Sequence, residues 1–382
     1  LEAMKDLKSK GMKSLIFDLR GNGGGYLDVA FKLSDEFLSQ DKLLVYTEGV
    51  SSPRYDYKAS TKGNFEEGKL VVLIDETSAS ASEIVSGAVQ DWDRGVIVGR
   101  RSFGKGLVQR PFNLPDGSQI RLTTSRYYTP SGRCIQKPWN DGMDSYFSDY
   151  MRRYQHKELI TADSISFPDS LKYTTNNGRI VYGGGGIMPD VFVPIDTSRA
   201  SDYLIILRSK GIFNDFSMRW VEENRESFLK KYPKFEDYNN VYPSLNLMRD
   251  FEAFAKKEGI ERNEIKKEWV NAMMMEEIQK IVKDTVNHYY NYENYAKELL
   301  SNKEMREELL KKAIAEDNKM REMMSKSDIY IEATLKAIIA RNLYGVSYYY
   351  QSIKDTDEGL QKAISVIKND KLYNSLLKPA KK

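Results

Sequence analysis

Short apolar runs alternate with stretches of helical spacing over residues 1–130. Residues 14–19 and 43–47 read as strands, and residues 27–38 between them carry the 3.6-residue period of a helix. The run LVVLI at 70–74 has no polar interruption, as expected of a strand buried on both faces. Residues 80–92 place Ala81, Ile84, Val85, Ala88, Val89 and Trp92 on one helical face. Gly95 ends that helix, and residues 96–98 form another short buried strand. This rhythm predicts an α/β core. Residues 107–114 and 118–128 flank Pro115-Asp116-Gly117 and predict a hairpin. Residues 131–165 are irregular and polar. A second hairpin is expected around Asn176-Asn177-Gly178, followed by a flexible connector at 183–186.

From about Thr197 glycine and β-branched residues thin out, while Lys, Glu, Met and Tyr rise. Residues 264–288, 303–324 and 328–344 read as long amphipathic helices. A chain of 382 residues exceeds what one core usually needs, so two domains are expected: 1–195 as the α/β core and 196–382 as an all-helical C-terminal domain. No internal repeat is visible. Met273, Met274 and Met275 are consecutive and cannot all face one side, so at least one is expected to meet a partner or the other domain. Tyr348–Tyr350 raises the same question.

Composition narrows the class. Hydrophobic residues at 41% and charged residues at 30% read as soluble and globular. A net charge of +3 is too small to argue for nucleic acid, and no apolar run reaches the roughly 18 residues of a membrane span. The single cysteine, Cys134, excludes an internal disulfide and a cysteine-based zinc site. The opening LEAMKDLKSKGMKSLIFDLR has neither an initiator Met nor a signal-peptide pattern, and a domain rarely starts there, so a fragment is expected.

Two segments could carry chemistry. Asp18-Leu19-Arg20-Gly21-Asn22-Gly23-Gly24-Gly25 follows a strand, and its glycines would let a ligand approach backbone N–H groups. Tyr26 stands where a dinucleotide fingerprint needs its last glycine, and the Gly-Lys-Ser/Thr of a Walker loop is absent. A tight turn and an oxyanion hole both remain open for this segment. Thr77-Ser78-Ala79-Ser80-Ala81-Ser82-Glu83 follows LVVLID and opens the apolar-faced helix. A serine there is an ordinary N-cap or a nucleophile whose developing charge the helix terminus favours. The chain has two histidines. His156 lies in a polar stretch and His288 in the helical half, and neither adjoins a glycine-rich turn. A lysine base is then the economical alternative, provided that its amine is neutral. Lys105, in Ser102-Phe103-Gly104-Lys105-Gly106, is the best placed; a solvated surface lysine is the alternative reading.

In order along the chain, LIFDLRGNGGG, LVVLIDETSASASEIVSGAVQD, GRRSFGKGLVQ, LPDGSQIRLTTSRYYTPSGRCIQ and GGGGIMPDV resemble motifs of the C-terminal processing peptidases, or tail-specific proteases, of serine peptidase family S41. The resemblance spans about residues 1–195. It implies a crotonase/ClpP-like α/β core followed by a helical region. It implies Ser80 as nucleophile, Lys105 as general base and Gln109 as the residue that orients the lysine. It also implies an oxyanion hole from the N–H of Ala81 and of Gly25, with Gly24 second. The activity implied is that of a serine endopeptidase cleaving proteins with apolar C-terminal tails, with no metal or organic cofactor. The location implied is extracytoplasmic, in the periplasm. The family's substrate-capturing PDZ domain, first core strand and N-terminal segment do not appear in this sequence. A non-catalytic peptide-binding or scaffold protein on the same fold is the alternative. Acyl-CoA chemistry on a crotonase-like core is a third reading, which gives the Ser/Lys pair no role. For the helices, a cap over the site, a homo-oligomer interface and a scaffold surface are the expectations.

Overall fold

The apolar runs at 14–19, 70–74 and 96–98 become neighbouring parallel strands. The computed structural model of the chain describes residues 2–60, 62–139, 142–197, 200–262 and 303–379. One sheet has the order β1 (Ser14–Asp18), β4 (Lys69–Ile74), β5 (Val96–Gly99), β10 (Val191–Phe192), all parallel. The period of two along β4 and β5 divides their side chains between two clusters. Leu70, Val72, Ile74 and Ile97 pack with Ile84, Val85, Ala88 and Val89 of α3 (Ala81–Asp91). Val71, Leu73, Val96 and Val98 pack on the opposite face with Ala363, Val366 and Tyr373. Burial on both faces explains why residues 70–74 and 96–98 carry no polar position.

A second, antiparallel sheet has the order β3 (Ser52–Lys58), β2 (Leu43–Gly49), β7 (Gln119–Tyr128), β6 (Leu107–Asn113). Helix α3 touches β5 of the first sheet and β2 of the second, and also packs on α2 (Leu27–Asp35). It is buried on all sides from Ser82 to Asp91, rather than along the single stripe that its apolar spacing predicts. Its polar residues are satisfied inside: Gln90 donates to the Met188 carbonyl at 2.8 Å, and Asp91 accepts from Arg133 at 2.7 Å, with both side chains of that ion pair fully buried.

The stretch 131–165, expected to be irregular, contains α4 (Gly142–Phe147) and α5 (Asp149–Gln155). The second hairpin is present as β8 (Lys172–Thr174) and β9 (Ile180–Tyr182).

The chain divides into two compact units. One comprises Leu1–Ile195 together with Asp357–Lys382, and the other Asp196–Thr356. Asp357–Lys382 thus group with the first unit rather than with the helical run expected over 196–382. Helices α12 (Glu358–Lys368) and α13 (Asp370–Leu376) cover the face of the parallel sheet that α3 leaves open. The reason is hydrophobic: Val71, Leu73, Val96 and Val98 would otherwise face water. The Tyr373 hydroxyl sits at the end of β4, accepting from the Leu70 N–H at 2.9 Å and donating to the Leu70 carbonyl at 3.1 Å.

The helical unit is built from α6 (Asp202–Ser209), α7 (Ile212–Lys231), α8 (Phe235–Val241), α9 (Leu247–Lys257), α10 (Lys303–Tyr344) and α11 (Val346–Ile353) among the described residues. The two helices expected at 303–324 and 328–344 are one continuous helix. Tyr238 and Phe251 are fully buried, and the hydroxyls of Tyr238 and Tyr242 donate to carbonyls of α10. Tyr348 stacks on Phe235 at 4.6 Å, and Tyr350 is exposed, so the tyrosine triplet splits between core and surface. Met273–Met275 and the helix expected at 264–288 lie outside the described residues.

Tyr373→Phe should leave the Leu70 N–H buried without its acceptor. We expect a loss of about 1–3 kcal/mol of stability, read as a lower midpoint in urea unfolding with the slope unchanged.

Candidate active site

Three loops leave the C-terminal ends of β1, β4 and β5, and these are the segments that carry Gly23–Gly25, Ser80 and Lys105. The middle loop is wound by Asp75. Its carboxylate accepts from the Thr77 N–H at 3.0 Å, the Thr77 hydroxyl at 2.6 Å and the Ser78 N–H at 3.1 Å. Burial opposes the charge on Asp75, yet these bonds, the Gly21 N–H and the Arg100 guanidinium hold its carboxyl below the usual carboxylate range. Ser80 follows as the N-cap of α3, with φ of 57° and ψ of −115°. A non-glycine residue held at positive φ costs on the order of 1–3 kcal/mol and persists only where its surroundings fix it. A serine strained between a buried strand and a helix forms a sharp elbow, and Ser80 is half-buried there.

The glycine-rich turn lies directly on this elbow. The Asn22 carbonyl accepts from the Ala79 N–H at 3.0 Å and from the Ser82 hydroxyl at 2.9 Å, and the Ser78 hydroxyl donates to the Leu19 carbonyl at 2.8 Å. Gly24, at φ 91°, is pressed so closely that a Cβ there would stand 2.5 Å from the Ala79 carbonyl oxygen and 2.7 Å from the Ala81 nitrogen. Only glycine fits that contact. The Gly24 N–H already donates to Asn22 Oδ1 at 2.9 Å, whereas a Cβ on the exposed Gly25 would meet nothing within 4 Å. Ala81 opens α3, so its N–H has no carbonyl within the helix to bond. Beside Gly25 and Ala81 is a cavity of about 140 Å3, walled by Leu19, Val29, Leu33 and Val85.

Glu83 joins the elbow to the lysine loop. Its side chain is fully buried, and each carboxylate oxygen accepts two bonds. Oε1 takes the Ser102 hydroxyl at 2.5 Å and the Gly104 N–H at 2.7 Å. Oε2 takes the Ser80 N–H at 2.8 Å and the Lys105 N–H at 2.9 Å. Burial pushes the Glu83 carboxyl up from its usual range, against the downward pull of these four donors. Tyr127 makes a second bridge: its hydroxyl bonds the Ser80 carbonyl at 3.1 Å and also the Lys105 carbonyl. The backbones of Ser80 and Lys105, 25 positions apart in sequence, are thus held through two shared side chains. The loop is clamped from outside as well. Arg153 of α5 donates to the carbonyls of Ser102 at 2.8 Å and Phe103 at 3.2 Å, and the Lys137 N–H donates to the Gly104 carbonyl at 3.0 Å.

Of the residues singled out in the sequence, Ser80, Ala81, Lys105, Gly24 and Gly25 fall on these converging loops. Gln109 is exposed on β6, opposite Thr123. His156 is exposed at the C-terminal end of α5, and His288 lies outside the described residues. Glu83, Tyr127 and Arg153 were not singled out. For Glu83 a signal existed, since Ser80-x-x-Glu83 has the spacing of a capping box.

Residues 1–143 match the model of peptidase family S41, and residues 203–269 and 265–345 match a family of unknown function, DUF8443. A carboxy-terminal-processing protease of Bartonella bacilliformis is 42% identical over 138 residues, which are 35% of this chain and 32% of that protein. A chloroplastic C-terminal processing peptidase of Tetradesmus obliquus is 36% identical over 136 residues, covering 36% of this chain and 29% of that one. Among solved structures, a photosystem II D1 C-terminal processing protease is 37% identical, covers 34% of each chain and superposes with a TM-score of 0.32. The chain thus spans about a third of the length of the curated relatives it matches. Four of the five motifs expected to mark the family lie within the matched residues, GGGGIMPDV at 183–191 lies beyond them, and over 1–143 the chain is similar to peptidase family S41.

Proposed function

We propose that this chain carries the catalytic site of a serine endopeptidase of the C-terminal processing type, with Ser80 as nucleophile and Lys105 as general base. The observation that carries the reading is the Glu83 bridge, in which one carboxylate oxygen holds the N–H groups of both residues. The relatives over the matched residues are peptidases, which does not favour a binding-only role. The core is read as a crotonase/ClpP-like variant.

In the proposed reaction the neutral amine of Lys105 takes the hydroxyl proton as Ser80 Oγ attacks a peptide carbonyl carbon. The N–H groups of Ala81 and Gly25 hold the oxyanion, each worth on the order of 3 kcal/mol by comparison with other acyl-transfer sites. Lys105 then gives its proton to the leaving amine as the C–N bond breaks. Water, deprotonated by the same amine, attacks the ester carbon; the ester bond breaks and the proton returns to Ser80. Gln109 is proposed to orient Lys105 once substrate is bound. The apolar cavity beside Gly25 and Ala81 would take a small or medium apolar side chain next to the scissile bond. Substrates are proposed to be proteins bearing apolar C-terminal tails.

Two outcomes check this. The full-length protein containing this chain should cleave an unstructured protein with an apolar C-terminal tail, while its Ser80→Ala and Lys105→Ala forms should fall to background; equal cleavage by both variants would refute the dyad. Glu83→Gln should keep the fold but turn an amide N–H2 toward N–H donors. Acylation of Ser80 by a fluorophosphonate should then slow by roughly 10- to 100-fold, the equivalent of about 1–3 kcal/mol for a mispaired buried group.

A further inference from the structure

The glycine-rich turn is gripped from two directions. On one side Asp75, Ser78, Ala79 and Ser82 bond it from the nucleophile loop. On the other, Arg20 reaches out of the turn to a part of the chain more than 300 residues away. Its guanidinium donates to Asp18 through Nε at 3.0 Å and Nη2 at 2.7 Å. It also forms a two-pronged pair with Asp357, Nη1 to Oδ1 at 2.8 Å and Nη2 to Oδ2 at 2.7 Å. The Asp357 side chain is 17% exposed and that of Arg20 24%, so water screens the pair little. A parallel two-bond geometry of this kind fixes orientation as well as distance.

Asp357 is itself immobilised. Its Oδ1 accepts the Leu360 N–H at 2.9 Å and so caps α12. Gly359 lies against the same guanidinium, where a Cβ would stand 2.7 Å from Nη1. Asp357 is also the first residue of the returning segment, directly after the last residue of the helical unit, and lies outside the match to family S41.

We propose that Asp357 is a positioning residue that acts through Arg20, so that docking of the C-terminal segment sets the glycine-rich turn of the active site. The catalytic part of the claim rests on the reading of Ser80 and Gly25 above. A turn that supplies an oxyanion donor must be held to a fraction of an ångström, and Arg20 sits five residues before Gly25. The segment 357–379 thus has two separable tasks: it covers the sheet through Val366 and Tyr373, and it holds the turn through Asp357.

The test uses the full-length protein and compares Asp357→Asn with Tyr373→Phe. The first keeps an oxygen to cap α12 but removes the charge facing Arg20. The second loosens the same segment where it does not touch the turn. Two quantities are read: hydrogen exchange of the peptide spanning Arg20–Gly25, and the rate of acylation by a fluorophosphonate. Asp357→Asn is expected to raise exchange in the turn and slow acylation roughly 10- to 100-fold, as misplaced catalytic groups do. KM for a peptide substrate should stay unchanged, and no further loss should appear when the substitution is made in an Arg20→Ala background. Tyr373→Phe should leave both readouts near the parent values. Unchanged exchange over Arg20–Gly25 in Asp357→Asn, or equal effects of the two substitutions, would overturn the proposal. If the turn loosens while Ser80→Ala reacts as fast as the parent, the positioning role stands and the assignment of Ser80 is what fails.

Discussion

A single buried carboxylate organises this site. Glu83 has no access to water, and its four acceptor positions are taken by donors from the Ser80 elbow and the Lys105 loop. An isolated carboxylate in that position would be prohibitively costly, so the four donors must stay in place for the charge to be tolerated. The constraint therefore works in both directions. The loops fix Glu83, and Glu83 fixes the loops, including the positive φ of Ser80 that no local interaction would stabilise. The additional bonds from Tyr127, Arg153 and Lys137 make the lysine loop a rigid part of the core.

This arrangement reconciles two readings of Ser80 that compete in the sequence. It does occupy the N-cap position of α3, as most serines in such a place do. The Ser80–Glu83 pair forms a capping box in which each side chain accepts from the other residue's backbone N–H, and the Glu83 N–H also donates to the Ser80 carbonyl at 2.9 Å. None of these bonds uses the hydroxyl proton.

The legible parts of the fold were those whose signal is local. LVVLI and the short run at 96–98 announced buried strands because both faces are covered, and the glycines of 21–25 announced a tight turn. The strand β3, SPRYDYK, was invisible because it pairs with β2 through its backbone while most of its side chains face solvent. Helix α5 was missed because its buried residues are Asp149 and Arg153, an ion pair at 2.8 Å that hydrophobic periodicity cannot register. The return of 357–379 to the sheet was equally hidden. Leu360, Ala363 and Val366 show an apolar stripe, and a stripe does not say which surface it covers. Of the site, the capping-box spacing of Ser80 and Glu83 was readable, but the donors that give Glu83 its role lie 19–22 positions further on.

The placement of the site follows from the parallel sheet itself. Asp18 pairs with Leu73, and Ile74 with Gly99, so β1, β4 and β5 end nearly level. The ladder runs one residue further at each junction: the Leu19 N–H donates to the Leu73 carbonyl at 2.9 Å and the Arg100 N–H to the Ile74 carbonyl at 3.1 Å. Three adjacent strands running in one direction must release their loops at one edge, which is where open α/β sheets place their ligands. An antiparallel sheet would send alternate loops to opposite ends. Sequence segments separated by some sixty and then twenty-five residues meet there because strand direction and register leave them no other place. The buried carboxylate of Glu83 then locks the meeting of the second and third.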